Sequence, residues 1–457
     1  MKPNSAAFRP LLGLVLFLVA GFPAAAQLSL GGAPGRGLQG AAARRGPALA
    51  PAMLRVNLGE VGQEADGTTD AAVLSDDGQW VAFSSIAANL LGTDGAGLRD
   101  VFLRNLATGQ VVLVSKDASG HPANGASGAT LDVSGDGRFV AFDSWASNLV
   151  AGDVPGTLDV FVFDRMTQGL SRVSVDSAGV AGDAASTDAA ISADGRHVAF
   201  SSWATNLVGD DVNGLQDVFV HDLQTSVTWR VSEDDAGVGG IGASHSPDIS
   251  ATGQFIAYST RANNLVTEPL SFYHYIFVHD AQSGETFHAS KNSFGDFAAG
   301  ESSTRPSITP DGRFVAFASD AYNVAFTDNN WGSDIFVHDR VTLLTTRVSV
   351  ASSGAEASGG SIQPVLSADG TKIAFMSGAP DLVPDDGNAV SDVFVHDLIT
   401  GTTHCISRGL DTGVGDAGSD APTLSADGSL VLFGSQATDL VEGDGNGVRD
   451  VFLCEVP

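Results

Sequence analysis

The sequence has few basic residues, and this shortage narrows the classes of protein to which it can belong. Its 457 residues contain 23 Lys and Arg against 53 Asp and Glu, which gives a formal net charge of −30 at pH 7. Nucleic-acid phosphates and anionic membrane surfaces are bound by clustered Lys and Arg, so we expect neither as a partner. The acidic excess favours a soluble protein whose surface attracts cations.

Cysteine is almost absent, since Cys405 and Cys454 are the only two in the chain. An oxidising compartment would permit a disulfide, but the two cysteines stand at different positions of the repeat described below. We therefore expect two separate, half-buried cysteines on strands. The sequence also lacks a glycine-rich phosphate loop, a nucleophile elbow and a compact cluster of zinc ligands, and we assign no catalytic residue.

Long apolar runs are missing except near the N-terminus, where residues 1–26 have the layout of a signal peptide. Two basic residues precede an apolar run from Leu11 to Phe22, and three alanines follow as a cleavage site of small residues. The run is too short for a comfortable transmembrane helix, so we expect export to the periplasm or beyond, without membrane insertion after cleavage. Residues 27–52, rich in Gly, Ala and Pro, are predicted to be a flexible linker.

One motif is repeated along residues 53–457. A Ser/Thr-x-x-Gly turn followed by an apolar strand occurs seven times, for example as "SADGRHVAFSS" at 192–202 and "TPDGRFVAFAS" at 309–319. The anchoring glycines, 58 or 59 residues apart, are Gly78, Gly137, Gly195, Gly253, Gly312, Gly370 and Gly428. This regular period predicts a repeat architecture.

Each repeat contains four strand-like runs, which in the third copy are "DAAIS", "HVAFSS", "DVFVHD" and "TWRVS". These runs are rich in Val, Ile, Phe and Thr, and the glycine of the first hairpin supplies the positive φ that its turn needs. No helical periodicity interrupts the series. Seven units of four antiparallel strands predict an all-β fold, a seven-bladed β-propeller over residues 53–457.

The two ends of this region predict how the ring closes. The last repeat stops after its third strand, at "DVFLCEVP", whereas the region opens with "LRVNL" at 54–58. That opening segment matches the fourth-strand runs "SRVSV" at 171–175 and "TRVSV" at 346–350. We therefore expect the N-terminal strand to complete the last blade, which would remove two open sheet edges.

The motif "LSADG…IAF…DVFVHDL" resembles the WD-like β-propeller repeat of TolB-type proteins, which is common in exported bacterial proteins, and the resemblance covers residues 54–457. It implies the propeller fold. It does not imply one activity, because such propellers serve as binding platforms, enzymes and accessory domains. TolB resembles a six-bladed propeller with an additional N-terminal domain, whereas seven units are present here.

An acidic pattern, Asp-x-Asn-x-x-x-Asp, joins the second and third strands of four repeats. Oxygen ligands at this spacing resemble half of a calcium loop, and a structural turn in which Asp and Asn bond backbone amides is the alternative. The candidate calcium ligands are Asp211, Asn213, Asp217, Asp328, Asn330, Asp334, Asp386, Asn388, Asp392, Asp444, Asn446 and Asp450. The first two repeats keep only the outer acids, and the fourth has Pro269 and Tyr275 in their place.

Histidines precede an aspartate at one position of the third strand in four repeats, and these histidines are His221, His279, His338 and His396. Radial repetition would place them in separate blades, so they cannot converge on one substrate. We expect candidate ligand-binding residues instead where the repeats diverge, at the mouth of the central channel and in neighbouring loops. These residues are Asp188, His245, Arg305, Gln363, Asp420, Trp203, Phe272 and Tyr273.

Trp145 and Trp203 occupy one position in adjacent repeats, where they either form a carbohydrate or peptide platform or pack between blades. The leading interpretation is an exported, monomeric, non-catalytic propeller that binds an unidentified protein or glycan and has calcium-stabilised loops. One alternative is a channel-centred metal-dependent lyase or lactonase that uses His245, Asp188 and Asp420. Another is a structural or adhesive surface protein.

Overall fold

A computed structural model describes residues 53–92, 97–267, 270–271, 273–298, 302–325, 328–388, 390–410 and 413–457. In these residues 28 strands form seven four-stranded antiparallel sheets, which are the blades of a propeller. The predicted signal peptide and linker, residues 1–52, lie outside the described residues. Among the described residues, no helix has the length and hydropathy needed to cross a membrane.

The first strand and blades 1 to 3 follow one another along the chain. Strand β1 is Met53–Arg55, and blade 1 contains β2 (Thr69–Leu74), β3 (Trp80–Ser85), β4 (Asp100–Asn105) and β5 (Val111–Leu113). Blade 2 contains β6 (Ser127–Val133), β7 (Phe139–Ser144), β8 (Asp159–Asp164) and β9 (Gly169–Arg172). Blade 3 contains β10 (Ser186–Ile191), β11 (His197–Ser202), β12 (Asp217–Asp222) and β13 (Val227–Arg230).

Blades 4 to 7 complete the ring. Blade 4 contains β14 (Ser244–Ile249), β15 (Phe255–Thr260), β16 (Tyr275–Asp280) and β17 (Thr286–His288). Blade 5 contains β18 (Ser303–Ile308), β19 (Phe314–Ser319), β20 (Asp334–Asp339) and β21 (Leu344–Arg347). Blade 6 contains β22 (Ser361–Leu366), β23 (Lys372–Ser377), β24 (Asp392–Asp397) and β25 (Thr402–Cys405), and blade 7 contains β26 (Ser419–Leu424), β27 (Leu430–Ser435) and β28 (Asp450–Glu455).

Blade 7 obtains its fourth strand from the other end of the domain. Strand β1 pairs antiparallel with β28, with Met53 opposite Cys454 and Arg55 opposite Phe452. The first strand of each blade contacts the first strands of both neighbouring blades, and this includes β26 with β2. The predicted seven-bladed fold and its closure by the N-terminal strand are both confirmed. The two cysteines are free, and both are fully buried rather than half-buried.

The core lies between adjacent blades and is built from the second and third strands. In each blade one aromatic residue from each of these strands forms a pair, as in Phe200 and Phe219, whose ring centroids are 5.9 Å apart. Blade 4 is the only described blade in which Tyr258 replaces one of these phenylalanines. The two rings of a pair lie on one face of the sheet, and in blade 3 they pack against Ala141, Val160 and Val162 of blade 2, which buries apolar area between the two blades.

The turn between the first two strands explains the repeated glycine. In blade 2, Gly137 has a φ of +67°, and a Cβ at this position would lie 2.3 Å from the Trp80 ring of the neighbouring blade. Asp136 Oδ1 accepts hydrogen bonds from the Ser134 hydroxyl and from the Arg138 amide, both at 2.9 Å. Glycine is therefore required by the backbone conformation and by the contact between blades.

Candidate functional site

The candidate residues gather at one end of the propeller, which we call the loop face. It is the end at which each second strand leads to the third and each fourth strand leads to the next blade. In blade 3, Ser186 of the first strand pairs with Ser202 of the second, and Ser202 pairs with Asp217 of the third. Because these three strand ends meet, the channel-mouth candidates and the acidic loops share the loop face.

The last aspartate of the acidic pattern holds the fourth strand against the third. In blade 3, Ser232 Oγ donates to Asp217 Oδ1 at 2.6 Å and accepts a hydrogen bond from the Val218 amide at 3.1 Å. Bonds of the same length join Ser115 to Asp100, Ser174 to Asp159, Ser349 to Asp334, Ser407 to Asp392 and Asn57 to Asp450. One oxygen of each of these aspartates is therefore committed to the fold.

The asparagine of the pattern is a turn residue. Asn213 Nδ2 donates to Asp217 Oδ2 at 2.6 Å and to the Gly240 carbonyl at 2.9 Å, while its Oδ1 accepts from the Leu215 amide at 2.6 Å. Asn388 and Asn446 make the equivalent three contacts, and Asn330 makes the two that involve backbone groups. These contacts support the structural-turn interpretation for two of the three positions in the pattern.

An arginine lies beside acidic side chains of the loop in blades 2, 3, 5 and 7, and in blades 2 and 7 its partner is the first aspartate of the pattern. This arginine is the last residue of the outermost strand, and the sequence interpretation overlooked it. Arg172 Nη1 lies 3.0 Å from Asp153, Arg230 Nη2 2.9 Å from Asp210, Arg347 Nη1 2.7 Å from Glu356, and Arg55 Nη1 2.7 Å from Glu64 and 3.4 Å from Asp444. A guanidinium therefore already supplies positive charge in blades 2, 3, 5 and 7.

One of these loops brings three carboxylates together. Ligand atoms of Asp328, Asp334 and Glu356 lie within 4.8 Å of one another, which is a donor set able to hold a metal ion. Glu356 belongs to the connection from blade 5 to blade 6, so the loop pattern could not reveal it. Arg347 lies beside this cluster, with Nε 3.1 Å from Asp334 Oδ2. Desolvation raises the pKa of Asp334 to about 6 despite the arginine.

The loops of blades 3 and 6 contain unpaired carboxylates. Both oxygens of Asp211 and both oxygens of Asp386 are buried and accept no hydrogen bond of good geometry from the described residues. Desolvation raises the pKa of each, and the backbone amides of Asn213 and Asn388 lie near enough to offset part of that rise. Arg230 also lowers the pKa of Asp211, whereas no cationic side chain contributes to the pKa of Asp386.

Blade 4 replaces the acidic loop with aromatic packing. The Tyr275 side chain is buried rather than presented to solvent, and its ring meets the His288 ring edge-on at 5.1 Å. His288 occupies the position at which blades 2, 3, 5 and 7 have arginine, and it stacks between Phe277 and Phe297 at 4.8 and 4.7 Å. Desolvation keeps the His288 pKa well below its usual value. Tyr273 is exposed, while Pro269 and Phe272 lie outside the described residues.

The four repeated histidines lie in separate blades and contribute to contacts between blades. His221 Nδ1 lies 2.8 Å from Thr228 Oγ1, and this hydroxyl donates to the Val175 carbonyl of the preceding connection at 2.6 Å. Because a hydroxyl has one proton, His221 must carry its own proton on Nδ1. The same arrangement links His279 to Thr286, His338 to Thr345 and His396 to Thr403. Burial lowers the pKa of all four histidines.

At the channel mouth, the third residue of the first strand has a left-handed backbone in five blades, with φ between 49° and 59° at Asp188, Ser246, Arg305, Gln363 and Ala421. Each lies at an irregularity in strand pairing, as expected for a β-bulge that redirects a side chain. Asp188 accepts from the Ser246 amide at 3.2 Å, and Gln363 from the Ala421 amide at 2.9 Å. These two candidates therefore join neighbouring blades, and their ligand binding stays a prediction.

Basic side chains line the mouth in blades 4 and 5. His245 Nε2 lies 3.2 Å from His274 Nδ1, and Arg261 is close enough to lower the pKa of both imidazoles. Desolvation is the main cause of the lowered pKa in both histidines, and it brings the pKa of His274 to about 4. Both rings are therefore neutral near pH 7. Arg305 is exposed in the next blade. Asp420, in blade 7, is paired with Arg449, whose Nε is 3.2 Å away.

The two tryptophans that follow the second strands of blades 2 and 3 are about half exposed. Trp145 and Trp203 expose 49% and 44% of their surface, although their backbone amides are held by the Ala126 and Ala185 carbonyls. A fixed backbone with a half-exposed indole matches the platform interpretation better than a packing role.

Two aspartates inside the channel were missed by the sequence interpretation. Asp132 Oδ2 accepts from the Ile191 amide at 2.8 Å, and Asp248 Oδ2 accepts from the Ile308 amide at 2.7 Å, so each joins its own blade to the next. Desolvation raises the pKa of Asp132 to about 7 and that of Asp248 to about 6. Only two of seven repeats carry an acid here, which left no regular pattern to recognise.

No protein-family model and no curated protein matches the chain. Among solved structures, an oligogalacturonate lyase in complex with manganese is 14% identical, with a TM-score of 0.52 over 89% of this chain and 93% of that one. The β-propeller domain of the Trilobed protease from Pyrococcus furiosus is 12% identical, with a TM-score of 0.52 over 86% and 94%. TolB from Acinetobacter baumannii is 15% identical, with a TM-score of 0.40 over 78% and 76%. At these identities the matches show the β-propeller fold alone, and the resemblance to TolB-type repeats stands at that level.

Proposed function

We propose that this protein is an exported, non-catalytic binding platform and that an acidic glycan binds on its loop face. The observation that carries the proposal is a group of basic and aromatic side chains on a protein whose net charge is −30. We call this group the basic sector, and its members are Trp203, His245, Arg261, Tyr273, His274 and Arg305.

The chemistry of the basic sector suits a sugar acid. Trp203 and Tyr273 expose 44% and 37% of their surface, and an exposed aromatic face offers apolar contact to a sugar ring. Arg261 and Arg305 are exposed guanidinium groups, which pair well with carboxylates. The overall negative charge would repel an acidic polymer elsewhere on the surface, so binding is expected at this sector only.

A metal-dependent lyase or lactonase is the second candidate function. It is favoured by the neutral His245 and His274 imidazoles, 3.2 Å apart at the channel mouth, because a neutral imidazole binds metals or accepts protons. It is also favoured by the manganese-bound lyase among the similar folds. However, the only three-acid cluster found among the described residues, Asp328, Asp334 and Glu356, does not include His245.

The test uses polygalacturonate as the acidic probe and dextran as the neutral one, with binding measured by calorimetry. We expect polygalacturonate alone to bind, and Trp203→Ala and Arg261→Ala each to weaken it at least tenfold. Gln436→Ala is the matched control, since Gln436 occupies the same repeat position in blade 7 and is exposed. Equal binding of polygalacturonate by all three variants would rule out the basic sector as the binding site.

The same samples separate the two candidate functions. A lyase would release unsaturated uronates, which absorb ultraviolet light, when manganese or calcium is added to polygalacturonate. We expect no such product from the full protein. If the native protein forms this product and His245→Ala does not, the binding-platform proposal is wrong and the protein is a lyase.

Export, a monomeric state and calcium in the acidic loops belong to the same proposal. Export is supported by the signal-peptide pattern of residues 1–26. Calcium is supported by the oxygen-rich loops, since exported proteins meet calcium at concentrations that fill weak sites. The four arginines described above already neutralise several of these loops, which narrows the places where an ion would be needed.

A further inference from the structure

The position of the loop arginine can be compared across blades because strand pairing fixes it. In blades 2, 3, 5 and 7 the arginine lies opposite a phenylalanine of the third strand, as Arg347 lies opposite Phe336. In blade 6 the residue opposite Phe394 is Cys405. Blade 6 therefore keeps the full acidic pattern but lacks the arginine of blades 2, 3, 5 and 7, which we call its sister blades.

Cys405 brings no charge in exchange. The side chain is buried, and desolvation raises the pKa of the thiol to about 12, so it stays protonated near pH 7. The nearby Arg408 does not replace the missing guanidinium, because its Nη2 pairs with the exposed Asp385 at 3.3 Å. The isolated β-bridge between Arg408 and Val414 corresponds to the bridge between Val350 and Glu356 at the end of blade 5. Val414 therefore occupies the position of Glu356 and supplies no carboxylate.

Among the described residues, no cationic side chain pairs with either of the two carboxylates in this pocket. Both Asp386 oxygens are buried and unpaired, while Asp392 accepts from Ser407 Oγ at 2.6 Å and from Asn388 Nδ2 at 2.9 Å. The pKa of Asp392 is raised mainly by desolvation, and the nearby Asp386 carboxylate raises it further. Unpaired buried carboxylates are costly, and each sister blade with an arginine offsets that cost with the guanidinium.

We propose that the blade 6 loop binds one divalent cation of the calcium class between Asp386 and Asp392, in the position that a guanidinium holds in the sister blades. The charged donors are carboxylate oxygens, which are the ligands of Ca²⁺, whereas a zinc site would recruit the Cys405 thiolate. Asp211 of blade 3 is not the equivalent case, because Arg230 lies in that loop. The proposal narrows calcium binding to one loop and is independent of glycan binding.

The test begins with chelator-treated full protein titrated with CaCl₂ by calorimetry. We expect one site, and a rise in the thermal midpoint when it fills. Asp386→Asn should abolish both effects. Cys405→Arg should also abolish binding, because it supplies the guanidinium of the sister blades, and its midpoint without calcium should equal or exceed that of the native protein.

Two further variants keep the proposal refutable if Cys405→Arg fails to fold. Cys405→Ser removes the thiol and adds no charge, so calcium binding should be retained. Arg347→Cys is the converse change in blade 5: it should lower the midpoint without calcium and create a second calcium site. Calcium binding that survives Asp386→Asn would overturn the proposal. So would a site that prefers Zn²⁺ and disappears in Cys405→Ser.

Discussion

Ring closure depends on Asn57, and replacing it with alanine should destabilise the whole domain. Asn57 is fully buried, and its Nδ2 donates to Asp450 Oδ1 at 2.6 Å and to Thr69 Oγ1 at 2.9 Å. Its Oδ1 accepts from the Val451 amide at 3.0 Å. The substitution removes the only hydrogen bond to Asp450 Oδ1 among the described contacts and leaves the Val451 amide unpaired. At about 1–3 kcal/mol for each buried group, the expected loss is about 4 kcal/mol.

This loss should be visible in thermal unfolding. An unfolding entropy of roughly 2.1 cal/mol/K per residue over roughly 400 residues gives about 0.85 kcal/mol/K, so the midpoint should fall by about 5 °C. Calorimetry of the full protein measures it. Val61→Ala is the control, because Val61 belongs to the same segment and is 90% exposed, so its midpoint should not change. An Asn57→Ala midpoint within about 1 °C of the native value would refute the role given to the closing strand.

Three further predictions follow from the same contacts. Asp132, whose folded pKa is about 7, and Asp248, whose folded pKa is about 6, should each contribute stability that is lost as the pH rises from about 5 to about 8, because the folded protein binds protons there that unfolded aspartate has released. The buried histidines, whose pKa values are lowered, act in the opposite direction, so the contribution of Asp132 is measured as a difference between two proteins. The stability of the native protein minus that of Asp132→Asn should fall over this pH range in melting curves, and a constant difference would contradict the prediction. Thr228→Val should cost about 1–3 kcal/mol in denaturant unfolding, because His221 and the Val175 carbonyl lose their partner, and Thr403→Val in blade 6 should cost the same; a neutral effect of both would exclude the proposed link between blades. Changing Phe272 and Tyr273 together to Ser should weaken polygalacturonate binding without moving the midpoint, whereas a lower midpoint with intact binding would show that these rings are packing residues.

The sequence predicted the fold well because the information is local and repeated. The turn glycine, the Val- and Phe-rich strands and the spacing of 58 or 59 residues each recur seven times, so errors at one copy are corrected by the others. The match between "LRVNL" and the other fourth strands was enough to predict the closure, and β1 does pair with β28. The repeated histidines do lie in separate blades, as the radial repeat predicts, and each contacts a threonine.

The candidate site was predicted less completely, because its residues diverge from the repeat. Trp203, His245 and Tyr273 were recognisable as departures from the pattern, but His274 was not assigned to the site. It belongs to the loop before the third strand, and only the folded blade places it beside His245 at 3.2 Å. The acidic pattern also could not show which of its aspartates accept hydrogen bonds within the blade.

By itself the sequence determined the number of blades, the strand order and the closing strand, since each of these depends on local pattern and on the count of repeats. Only the tertiary structure decided which carboxylates are already neutralised. Arg55 reaches Asp444 across 389 residues, and Glu356 reaches Asp334 from the connection to the next blade. The charge in a loop pocket is the sum of side chains brought in from separate strands, and a linear pattern records only those that lie on the loop. For this reason the acidic pattern is the same in the sequences of blades 3, 5, 6 and 7, whereas in the folded protein only the blade 6 loop lacks the guanidinium that the other three loops contain.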